Sequence, residues 1–67
     1  MKYYQLDDAP ANLLLRKDGF FVEKLTTDGW EMWVNPERFD QRSDEITKDE
    51  ARAVAERVNP AEAAKIV

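Results

Sequence analysis

The chain has no cysteine and no histidine, and only two of its 67 residues are glycine. Without thiols there are no disulfides, and without thiolate or imidazole the usual zinc and haem sites are excluded. A serine or threonine nucleophile has no histidine to activate it. Two isolated glycines cannot build a phosphate cradle, and no run matches the Asp-x-Asp-x-Asp-Gly calcium loop. Long apolar runs are missing too: no segment approaches the roughly 20 apolar residues of a spanning helix, and the start lacks the pattern of a signal peptide. The expectation is no metal, no cofactor, no membrane partner and a cytoplasmic location. Excess positive charge is also lacking. A net charge of −4 argues against nucleic acid as a partner, because that affinity comes largely from neutralising phosphates with Lys and Arg.

What is present fits a soluble folded domain, with 43% apolar and 36% charged residues. Residues 1–67 read as one domain near the lower size limit for a self-sufficient core. Below about 70 to 80 residues a core rarely supplies more than about 3 to 5 kcal/mol, so size alone favours a partner.

The densest apolar stretch is Leu13 to Val34, where Asp18-Gly19 and Asp28-Gly29 lie between branched and aromatic runs. Such placement predicts two hairpins and three strands. With type I′ turns at both Asp-Gly pairs, Lys17 faces Phe20, Arg16 faces Phe21, Leu25 faces Met32 and Lys24 faces Trp33. One face then carries Leu14, Phe21, Leu25, Trp30, Met32 and Val34 with Arg16 and Glu23; the other carries Leu13, Leu15, Phe20, Val22 and Trp33 with Lys17, Lys24, Thr26 and Glu31. Both faces are apolar, unlike an antiparallel sheet with one wet side.

Before this stretch, Tyr3 to Leu6 can form a fourth, edge strand, followed by a proline-containing loop from Asp7 to Asn12. After it, Asn35-Pro36 predicts a single helical turn ending near Phe39, and Asp40 to Glu45 reads as a mobile loop. Thr47 and Glu50 form a capping box that opens a helix from Lys48 to Val58, with an apolar stripe of Ala51, Val54, Ala55 and Val58. Asn59 can cap a second short helix running to Ile66 and Val67. The expected fold is α+β: a three- to four-stranded antiparallel meander sheet over residues 1–34, a connecting turn and loop over 35–46, and a helical part over 47–67 whose C-terminal α-helix packs on one face.

The Met-Lys-Tyr-Tyr start, an acidic turn running into Gly29-Trp30, and the Ile46 to Ala51 run Ile-Thr-Lys-Asp-Glu-Ala resemble small uncharacterised proteins of actinobacteria and their phages. The resemblance spans most of the chain. It implies an origin and a fold, with no activity and no functional residue to transfer.

The carboxylate pairs Asp7-Asp8, Asp44-Glu45 and Asp49-Glu50 are sequence neighbours, whose side chains point apart in helix and strand. They read as capping or solvated groups, so the chain is not expected to be an enzyme. With one helix for two apolar faces, the face of Leu13, Leu15, Phe20, Val22 and Trp33 is expected to be a partner-binding surface. Its charges Lys17, Lys24 and Glu31 suit a rim better than a dry core. The function expected is a small acidic protein–protein interaction module, a modulator of phage or host origin, that binds another copy of itself or a different protein. The alternative is single-stranded nucleic-acid binding, with bases stacked on Phe20 and Trp33 beside Lys17 and Lys24. A third arrangement closes the second face with the tail from Pro60 to Val67 and the Phe39 turn.

Overall fold

The computed structural model describes all residues from Met1 to Val67. It is α+β. Strands β1 (Lys2–Leu6), β2 (Leu15–Asp18), β3 (Phe21–Thr26) and β4 (Gly29–Met32) are followed by α1 (Pro36–Arg42), β5 (Ser43–Ile46), α2 (Lys48–Val58) and α3 (Pro60–Ala63). All pairings are antiparallel, in the order β4-β3-β2-β1-β5. The sheet is larger than the expected three or four strands, and helix is not confined to the C-terminal part. No helix is long and apolar enough to cross a membrane.

The fifth strand corrects the reading of Asp40 to Glu45 as a mobile loop. Ser43 to Ile46 is polar and carries no apolar alternation, yet it pairs with β1, placing Tyr3 opposite Ile46 and Leu6 opposite Ser43. β1 is therefore an interior strand rather than an edge. The backbone of β1 supplies the hydrogen-bonding template, and an acidic edge strand is a common protection against stray pairing.

Both hairpins close two residues away from the expected register. Asp18 pairs with Phe21, so the first loop is Gly19-Phe20, with φ +69° at Gly19 alone. Positive φ at only the first central residue belongs to a type II′ turn rather than I′. Thr26 pairs with Gly29 around Thr27-Asp28, which keep negative φ, while Gly29 follows at φ +122°. The Thr26 hydroxyl accepts from the Asp28 N–H at 3.1 Å, a side-chain turn that an Asp-Gly pattern does not announce. Because each slip is two residues, side-chain parity is unchanged and the two face memberships stand.

The first face is closed by α2 and α3. Tyr3, Leu14 and Leu25 pack with Ala51, Val54, Ala55, Ala63 and Ile66, and Trp30, Ile46 and Val58 lie against them. Thr47 opens α2 through both bonds of the capping box, its hydroxyl accepting from the Glu50 N–H and its own N–H donating to the Glu50 carboxylate. Asn59 ends α2, caps α3 at Glu62, and donates to the Thr26 and Thr27 carbonyls, tying the helices to the second hairpin. The tail stays on this same face, held by the Arg52 guanidinium on the Ile66 carbonyl; of the arrangement in which the tail and the Phe39 turn close the second face, only the Phe39 part is met.

The second face is closed by α1. A chain leaving β4 at one edge must cross four strand spacings, about 19 Å, to reach β5 at the other. The first face is already occupied, so the crossing runs over the second. Asn35 caps the helix, Pro36 starts it, and it continues beyond the expected single turn to Arg42. Phe39 is buried with Leu6 and Leu15, and Tyr4 meets its ring edge-on at 5.0 Å. Asp7 and Asp8 pin the helix from the β1–β2 loop: Asp8 pairs with Arg38 at 3.3 Å and Asp7 with Arg42 at 3.7 Å.

Candidate partner-binding surface

The structure divides the five residues expected to form the partner surface. Leu15 has no exposed surface and lies beneath Phe39. That is a correction: a side chain sealed by α1 has no area to give to a partner. Leu13, Val22 and Trp33 are half-buried against the same cluster. The Trp33 indole N–H donates to the Asn35 carbonyl at 2.8 Å, so the ring is held against the start of α1. Phe20 alone stands free, in the first hairpin turn.

The charges that pointed to this face are compatible with its cover. The Lys17 ammonium lies 5.7 Å from the centroid of the Phe39 ring, with its aliphatic stem free to run over apolar surface while the head keeps water. Lys24 and Glu31 are cross-strand partners. On the opposite face, Arg16 and Glu23 form a 2.8 Å ion pair and the guanidinium stacks 4.1 Å over Trp30. A charge within a sheet face therefore did not mark which face was open.

Uncovered apolar surface lies instead at the hairpin end of the helix-bearing face. In register, Ile46, Tyr3, Arg16, Glu23 and Met32 form one row across the sheet. The row toward α2 contains Leu14, Leu25 and Trp30 and is covered. The row on the other side continues from the Asp18–Phe21 pair to Val34, since the Trp33 N–H already bonds the Val22 carbonyl at 2.8 Å. Helix α2 does not reach it. Phe21 and Met32 are each 63% exposed, Val34 is 84% exposed, and Phe20 in the adjoining turn is 97% exposed. Asp18, Phe21, Glu23 and Met32 line an open groove of about 290 Å³ there.

The outer edge of β4 adjoins this patch. Trp33 points its N–H inward to β3, so by antiparallel alternation Trp30, Met32 and Val34 point their N–H and C=O groups outward. The sequence contained this signal in Phe21, Met32 and Val34 on one face. It could not show that α2 stops short of them. No three acidic side chains converge as a metal site. Comparison with protein families, with curated proteins and with solved structures gives no match for the chain.

Proposed function

We propose that the protein is a non-enzymatic interaction module that engages another protein through Phe20, Phe21, Met32 and Val34 beside the open edge of β4. The observation that carries this reading is the exposure of Phe21 and Met32 on a sheet face whose residues under α2 and α3 are packed core. A monomer gains nothing in stability from wetting such groups, whereas a partner that covers them gains their burial at about 25 cal/mol per Å² of apolar area. The open strand edge adds directional hydrogen bonds, the combination used in strand addition. As a small acidic modulator of phage or host origin, the protein would act by occupying its target's surface.

The test is a photo-crosslinking residue at Val34, with the same residue at exposed Ala53 on α2 as control, in cells expressing the protein. Adducts at Val34 and none at Ala53 are expected. Equal labelling at both positions, or none at either, overturns the assignment of this surface.

A further inference from the structure

We infer that the partner at this surface is a second copy of the chain, joined by antiparallel pairing of β4 with its twofold-related β4 and with Met32 on the axis. This rests on the interaction-module reading above and specifies its occupant.

The charges at the two sheet edges select the pairing. The edge of β5 carries Asp44 and Glu45, and the edge of β4 carries only Glu31. Joining β4 to a neighbour's β5 brings Glu31 beside Asp44 and Glu45, and joining β5 to β5 about a twofold sets Asp44 opposite Asp44 or Glu45 opposite Glu45; like charges across strands are destabilising. The first of these contacts is also head-to-tail and propagates into a filament, while β4 on β4 closes as a dimer.

The outward groups select the register. Hydrogen-bonded pairs must come from Trp30, Met32 and Val34, and three symmetric registers engage more than one of these residues in each copy. Pairing Trp30 with the partner's Met32 places Glu31 opposite Glu31, which charge opposes. Pairing Met32 with the partner's Val34 leaves Trp30 opposite Pro36, which has no N–H and begins α1. Centring on Met32 pairs Trp30 with the partner's Val34 and places Glu31 opposite the partner's Trp33. The exposed Phe21 and Val34 of one copy then fall in the same row as Trp30 and Leu25 of the other. Each uncovered row is thereby continued into the other copy's core, and the dimer presents one ten-stranded sheet with α2 and α3 of both copies on the same side.

Sedimentation equilibrium of the full chain, with circular dichroism, decides between dimer and monomer. Wild type is expected to be dimeric, and Met32→Lys, which sets two ammonium groups across the axis at a site exposed in the monomer, is expected to weaken association about a hundredfold or more while keeping the fold. A single introduced thiol tests the register without relying on loss of function, because the chain has no cysteine. In a hydrogen-bonded antiparallel pair the Cα atoms are about 5.5 Å apart, within disulfide range. Met32→Cys is thus expected to form a covalent dimer on mild oxidation, and Glu31→Cys is not. A wild type that stays monomeric at about millimolar concentration, where even weak self-pairing registers, overturns the proposal. So does a dimer unaffected by Met32→Lys, or one crosslinked through Glu31→Cys instead. In the monomeric case the Val34 crosslink separates the two levels: an adduct with a different protein leaves the interaction module standing, and no adduct removes both.

Discussion

Gly19 shows how a single residue's conformation sets a turn here. Its φ of +69° is strained for any side chain, although nothing lies within 4 Å of where a Cβ would be placed. Gly29, at φ +122°, is equally unobstructed. Gly19→Val and Gly29→Val should each cost more than about 1 kcal/mol, through backbone strain without any clash, because a β-branched residue is badly placed at positive φ. Thermal midpoints measured on both variants check this, and unchanged values contradict the turn assignments. Thr47 is the other local determinant. Its capping box has both hydrogen bonds formed, so Thr47→Ala should destabilise by roughly 0.5 to 2 kcal/mol in a denaturant titration.

Among the elements, α1 is the one whose importance exceeds its sequence signal. Seven residues with one buried side chain, Phe39, cover a sheet face and carry the chain to β5. Phe39→Ala should cost about 3 to 5 kcal/mol, because the ring is packed among Leu6, Leu15 and Tyr4 and the site has no alternative filler. Hydrogen exchange in that variant should rise in β5 and in the Asp7 to Asn12 loop, which α1 holds through Asp7 and Asp8, before it rises in α2. Uniform loss across the molecule would mean that the two faces do not behave as separable layers. Trp33→Lys belongs at this scale too. With the indole held between Asn35 and the Phe39 cluster, this substitution should lower stability measurably, the opposite of what a free anchor would do.

For the whole molecule, two core layers on one sheet account for how 67 residues without a cysteine can cover most of both apolar faces. The layers are unequal. On the α1 side, cover reaches Trp33; on the α2 side, it stops before Phe21 and Met32. A lysine at Met32 should therefore leave the thermal midpoint of the folded unit nearly unchanged, while a lysine at Leu15 should unfold it, since a buried unpaired charge is beyond the means of so small a core. Circular dichroism melts of the two variants, at a concentration low enough to exclude association, make the comparison.

Alternation along Leu13 to Val34, the capping box at Thr47 and the Asn-Pro starts at Asn35 and Asn59 determined strand parity, the span of α2 and the starts of all three helices. These are short-range effects in which a residue and its close neighbours carry the energy. Face membership survived wrong hairpin registers because a two-residue slip preserves parity. The tertiary structure alone decided that Ser43 to Ile46 is a strand, since its conformation depends on hydrogen bonds offered by β1, more than thirty-five positions away in sequence. It also decided which apolar face is open. That depends on where α1 crosses and where α2 ends over the sheet, and both are set by the distance between sheet edges, which no local pattern encodes.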